Sequence, residues 1–160
     1  MQLAKLRGAE VTAVDSGPKL EMLQSIGADR VIDFMESDFT RQGELYDVII
    51  DVVGKSSYSG GLSSLRPGGR YILGNPGFGD FFRSLWTSRV TSKKVITVIA
   101  GYRKENLEYL KTLIEAGKLK TVIDRRYRLE RVADAHRYVE TGQKAGHVVI
   151  SMEAGPSAGS

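Results

Sequence analysis

Short β-branched runs and helix-period runs take turns along the whole chain, and that alternation constrains the fold more than any other feature. Residues 1–7 read as the end of a helix with Gly8 as its stop. Residues 10–14 (Glu-Val-Thr-Ala-Val) suit a strand buried on both faces. Ser16 can cap the helix that follows, Pro18 fits its first turn, Leu20, Leu23 and Ile26 recur at helical spacing, and Gly27 ends it. Residues 30–34 read as a second strand, and residues 37–43 as a short helix led by Ser37. Residues 46–53 are the most apolar run of this half and predict a central strand broken by Gly54. A helix from about Ser57 should carry Leu62 and Leu65 inward until Pro67-Gly68-Gly69 turns the chain into a strand at 70–73. A loop over 74–79, an amphipathic stretch at 81–88 and a strand at 94–99 follow. Leu107, Leu110, Leu113 and Ile114 mark a helix over 104–116 closed by Gly117, and Val132, Ala135, Tyr138 and Val139 mark another closed by Gly142. Residues 121–124 look extended, and residues 147–151 read as the last strand. Such alternation means βαβ units: an α/β, doubly wound, mainly parallel sheet with helices on both faces.

Composition narrows the function. No cysteine among 160 residues excludes disulfide scaffolds and thiolate metal sites. No run approaches a membrane span, and the N-terminus lacks the apolar core of a signal peptide, so a cytoplasmic protein is expected. A net charge of +4 does not make a nucleic-acid binder, because Asp124 and Glu130 interrupt the basic cluster over 118–131 and no stacking aromatics are interleaved.

In parallel sheets ligands bind beyond the carboxyl ends of the strands, so the strand ends carry the candidates. The first strand ends in Val14-Asp15-Ser16. An acidic residue there can accept from both hydroxyls of an adenosine ribose and would repel a 2′-phosphate, which favours NAD. Lys19, one turn on, argues for NADP; capping alone also accounts for Asp15 and Ser16. Gly54 lets the backbone pass close to a ligand, and the loop at Gly74-Asn75 has room for a nicotinamide; turns and a surface loop explain the same residues. The G-x-G-x-x-G phosphate loop of a dinucleotide fold is absent from all 160 residues. The chain therefore reads as starting inside the helix that follows that motif. His136 and His147 have no partner at a motif spacing, so they read as structural.

The succession Gln2-Leu3-Ala4-Lys5, Gly8-Ala9-Glu10-Val11, Lys19-Leu20, Gly27-Ala28-Asp29 and Val31-Ile32-Asp33 resembles medium-chain dehydrogenases/reductases, nearest the zinc-independent quinone reductase and NAD(P)-dependent alcohol dehydrogenase-like branch. The runs at 46–54, 113–118, 122–127, 133–138 and 146–150 extend the resemblance to Ser151. It implies a Rossmann domain over 1–151 lacking its first strand and glycine motif, and homo-oligomers built through sheet edges; the small, polar residues of the tail over 152–160 read as disordered. Lys19 matches a phosphate-binding lysine, Phe34 a tyrosine beside the adenosine, Val53-Gly54 the turn near the sugars, and Gly74-Asn75 the turn near the nicotinamide. Segments 121–127 and 147–151 resemble strands that pair with an N-terminal catalytic domain and would here have lost their partners. The implied function is the cofactor half of a hydride-transferring oxidoreductase, inactive alone, using NAD or NADP with a slight lean to NAD and binding no zinc. Two other classes stay open. Leu65-Arg66-Pro67-Gly68-Gly69-Arg70 also resembles S-adenosylmethionine-dependent methyltransferases, and a truncated chain can serve as a non-enzymatic dinucleotide-binding or dimerising module.

Overall fold

A computed structural model describes residues 1–54, 56–98, 101 and 103–152. The elements run α1 (Gln2–Lys5), β1 (Thr12–Asp15), α2 (Leu20–Ser25), β2 (Arg30–Asp33), β3 (Tyr46–Asp51), α3 (Tyr58–Ser63), β4 (Leu65–Leu73), α4 (Phe78–Val90), β5 (Lys94–Thr97), α5 (Lys104–Glu115), β6 (Ile123–Arg128), α6 (Val132–Glu140) and β7 (His147–Ser151). Every strand pair among the described residues is parallel: β1 with β2, β3 with β4 and β4 with β5, and β6 with β7. The fold is Rossmann-like α/β, as the alternation predicts, with its strands divided among three sheets. Segments 121–127 and 147–151 are not left without partners. Their strands β6 and β7 pair with each other, Ile123 opposite His147 and Tyr127 opposite Ile150, because α6 supplies the crossover a parallel pair requires.

The chain forms two compact units, one of residues 1–33 with the chain from Glu105 onward, the other Phe34–Lys104. In the second, Ile49, Leu65, Tyr71 and Leu73 make a buried cluster flanked by Phe39, Tyr46, Tyr58, Leu62 and Val95. Burying four such side chains contributes on the order of 1.5–3 kcal/mol each. In the first, Ile32, Leu113 and Ala135 are the buried apolar side chains.

Local chemistry explains the departures from the expected elements. The short helix at 37–43 is a single 3₁₀ turn over Phe39–Arg41, capped by Asp38 rather than Ser37: the Asp38 carboxylate accepts from Thr40 N–H at 2.9 Å. Helix α3 does start at the expected cap, with Ser57 Oγ accepting from Gly60 N–H. It stops at Ser63, however, so Leu65 reaches the core from a strand. Pro67-Gly68-Gly69 is then an irregularity within β4, where pairing jumps from Tyr46↔Leu65 to Val48↔Arg70. Helix α4 turns polar residues inward. Ser84 and Thr87 are buried while Phe82, Leu85 and Trp86 face solvent. Polar contacts set that rotation: Tyr58 and Thr87 share a hydrogen bond at 3.1 Å, and the Arg83 guanidinium lies 4.3 Å from the Tyr58 ring centre. Ile99 and the tail from residue 153 lie outside the described residues.

Candidate functional site

An open groove of about 500 Å³ lies in the first unit at the carboxyl end of β1. Asp15, Lys19, Gln2, Lys120, Lys144 and His147 are among its lining residues. Asp15 is the last residue of β1, and its Oδ1 accepts from Ser16 N–H at 2.8 Å and Ser16 Oγ–H at 3.3 Å. Ser16 therefore serves the carboxylate rather than capping the next helix with its side chain. Lys19 comes back one turn later. Its Nζ lies 3.4 Å from Asp15 Oδ1 and donates to the Gly142 carbonyl at 3.3 Å, and its side chain is only 19% exposed. A lysine so placed ties the end of α6 to the end of β1.

The opposite rim is the segment from Gly142 to His147, pinned at several points. Ala145 N–H donates to Asp124 Oδ2 at 3.0 Å, and the Tyr138 hydroxyl donates to the same oxygen at 2.7 Å. That hydroxyl, above all, holds the Asp124 carboxyl below the usual carboxylate range. His147 N–H donates to the Val122 carbonyl at 2.8 Å. Gly146 runs so close to Val122 that a Cβ would sit 2.7 Å from that carbonyl oxygen, which is why glycine stands there. Across the groove, the Gln2 side-chain amide brackets Lys120, accepting from its N–H at 2.8 Å and donating to its carbonyl at 2.9 Å.

The other sequence candidates lie in the second unit. Phe34 follows β2 directly and is about half exposed. Val53 and Gly54 form the turn after β3, and Gly74 and Asn75 the turn after β4; the structure brings these two turns together. A Cβ on Gly54 would sit 3.1 Å from the Asn75 carbonyl oxygen, and one on Gly74 would sit 3.3 Å from the Val52 Cα. Gly54 also adopts φ +71°, open to glycine at little cost. What organises the first turn is Asp51, which the sequence reading passed over. Its Oδ1 accepts from Val53 N–H at 3.1 Å and Gly54 N–H at 2.7 Å, and its Oδ2 from Ser56 N–H at 3.3 Å and the Tyr71 hydroxyl at 3.4 Å. An acidic last residue of the strand, three positions before the glycine of the turn, was the available signal.

The cleft also gathers Lys120, Lys144 and His147, none of them a sequence candidate. Lys144 and His147 stand beside Gly146, the one local hint, whereas Lys120 lies more than twenty residues earlier in the chain. Among the described residues no group of three or more His, Asp or Glu side chains stands where it could hold a metal ion.

Parallel βαβ units with a charged cleft at a strand's carboxyl end define a Rossmann-like α/β protein. The chain belongs to the zinc-binding dehydrogenase family, whose model matches residues 26–150, and so to the medium-chain dehydrogenases/reductases that its sequence resembles. It is 32% identical to the chloroplastic quinone-oxidoreductase QR1 of Triphysaria versicolor over 94% of this chain and 47% of that protein. It is 32% identical to the chloroplastic NADPH-dependent alkenal/one oxidoreductase of Arabidopsis thaliana over 94% of this chain and 36% of that one. The solved quinone oxidoreductase of Coxiella burnetii superposes with a TM-score of 0.77 at 25% identity, covering 95% of this chain and 48% of that chain. The chain thus spans about half the length, or less, of the curated relatives it matches. No described helix is long and apolar enough to cross a membrane.

Proposed function

We propose that this chain is the cofactor-binding portion of an NAD(P)-dependent oxidoreductase that moves hydride to or from a carbonyl, an enone or quinone, or an alcohol. The observation that carries this reading is the cleft at the carboxyl end of β1, where Asp15 and a set of cations stand together. Bound NAD(P)H supplies the hydride, from its nicotinamide C4. On this reading Asp15, with Ser16 N–H and Oγ–H fixing its orientation, accepts from a ribose hydroxyl, and Lys19 keeps the rim in place. Phe34 is the proposed neighbour of the adenosine, Val53 and Gly54 of the cofactor's sugars, and Gly74 and Asn75 of the nicotinamide. No side chain of this chain is assigned as proton donor, and the chain alone binds cofactor without turnover.

The same proposal makes residues 1–151 the cofactor domain, places the protein in the cytoplasm and has copies associate through sheet edges, β5 being an edge strand among the described residues. Calorimetric titration of the purified chain with NADH, NADPH and S-adenosylmethionine tests the function. Binding of a nicotinamide dinucleotide is expected. Binding of S-adenosylmethionine alone overturns it, and silence from all three ligands leaves a module with no cofactor role.

A further inference from the structure

We infer that the outward face of α4 is a docking surface for an anionic lipid membrane, on which the chain lies without crossing it. A helix that covers a sheet ordinarily turns an apolar stripe inward and a polar face to water. Helix α4 does the opposite. Ser84 and Thr87 are buried, whereas Phe82 is 78% and Trp86 72% exposed, with Leu85 and Val90 exposed beside them. Counted from Phe82, the others follow after three, four and eight residues, so all four share one face. Polar bonds fix the inward side: the Tyr58 hydroxyl meets Thr87 Oγ1 at 3.1 Å, and Val95 N–H donates to Ser88 Oγ at 3.1 Å. Rotating the helix to bury its aromatic side chains would break both bonds, so the apolar stripe is held outward.

Charge selects the occupant. Arg89, four residues after Leu85 and three after Trp86, stands within the stripe, exposed and with no ion pair among the described residues. Arg83 on the helix and Lys94 just beyond it are exposed as well, and Asp80 is the one acidic residue in the sequence from 78 to 97. An arginine there can lay its methylenes along the apolar stripe and raise its guanidinium to lipid phosphates, while the Trp86 indole suits the headgroup level. A second copy fits less well. Four side chains offer roughly 500 Å², short of the about 800 Å² per partner of a stable protein interface, and two stripes face to face would bring two unpaired Arg89 side chains into one apolar contact. A lipid surface needs no matching shape. Helix α5 gives the contrast: it also exposes Leu107, Tyr109 and Ile114, but Glu105, Glu108 and Glu115 outnumber Lys104 and Lys111, a balance that anionic lipid repels.

Trp86 is the single tryptophan of the chain, so its fluorescence reports on this face directly. The full chain, without nucleotide, is mixed with vesicles of phosphatidylcholine alone or of phosphatidylcholine with phosphatidylserine. The anionic vesicles are expected to shift Trp86 emission to the blue, shield it from acrylamide and carry the chain down on sedimentation. Neutral vesicles should bind at least about tenfold more weakly, and added salt should weaken the anionic binding. Arg89→Gln should cost about fivefold on anionic vesicles. Phe82→Ser/Leu85→Ser should cost at least about tenfold, and both variants should unfold as the unsubstituted chain does, because these side chains face solvent. Emission unmoved by anionic vesicles overturns the inference. So does sedimentation that the Phe82→Ser/Leu85→Ser variant leaves unaltered. A blue shift that follows protein concentration without lipid also overturns it and assigns the face to a second copy. No nucleotide enters the assay, so its outcome is separate from that of the cofactor reading.

Discussion

Two aspartates end two parallel strands, and they have opposite jobs. Asp51, at the end of β3, is 8% exposed, and three backbone N–H groups and the Tyr71 hydroxyl point at its carboxylate. Asp15, at the end of β1, is partly exposed, accepts from one backbone N–H and one hydroxyl of Ser16, and faces an open cleft beside a lysine. The first carboxylate is consumed by its own turn. The second spends fewer of its lone pairs on its own turn, which is what the proposed ribose contact requires. Residue type and strand position are shared, so the difference comes from how many donors the following turn directs inward.

The most destructive way to probe this contrast is Asp51→Ala. It strands several part-buried donors at once, and a loss of about 2–4 kcal/mol is expected in urea unfolding. A loss below about 1 kcal/mol would mean that the turn does not depend on the carboxylate.

The next effect is in alkali. Burial, and then the neighbouring Asp51 charge, push the Tyr71 phenol up to about 12. An unfolded tyrosine ionises near pH 10. The folded state therefore holds this proton more tightly, and the stabilisation is complete below about pH 10 and is lost as pH rises through about 12. Thermal unfolding from pH 9 to 12 should show the decline, and Tyr71→Phe should flatten it. An unchanged slope in that variant would assign the decline to other groups.

The smallest effect on stability belongs to Asp15→Asn. A partly exposed pair with Lys19 contributes less than about 1 kcal/mol, so unfolding should barely move while nucleotide affinity changes. The reverse outcome, a large destabilisation with unaltered nucleotide binding, would erase the distinction between the two aspartates.

Helix stops were the most legible feature of the sequence. Gly8, Gly27, Gly117 and Gly142 all take positive φ just past helices, as their positions after apolar periodic runs imply. Strand β7 is found with the predicted limits, since a β-branched run after a glycine admits little else. Less legible were features set by contacts distant in sequence. The rotation of α4 depends on Tyr58 reaching Thr87, 29 positions on, so the apolar periodicity of 81–88 indicated a helix but not which face it buries. The cleft was half visible: Asp15 and Lys19 stand at the end of one strand, but the rim opposite comes from residues more than 120 positions later. Local patterns carry no trace of that proximity.

Parallel pairing here joins strands that are neighbours in the chain, with partners 18 to 24 residues apart, from Thr12↔Arg30 to Tyr71↔Val95. Each closure thus costs a loop of similar, moderate length, and no β-ladder has to wait for distant ends of the polypeptide to meet. The three sheets can zip independently as their own crossovers form. Ordering of the cleft, which needs Lys19 at Gly142 and Gln2 at Lys120, carries a larger loop-closure cost than any of these ladders. On the proposed reading, a nucleotide bound at this cleft would therefore add its stabilisation where the loop-closure cost is highest.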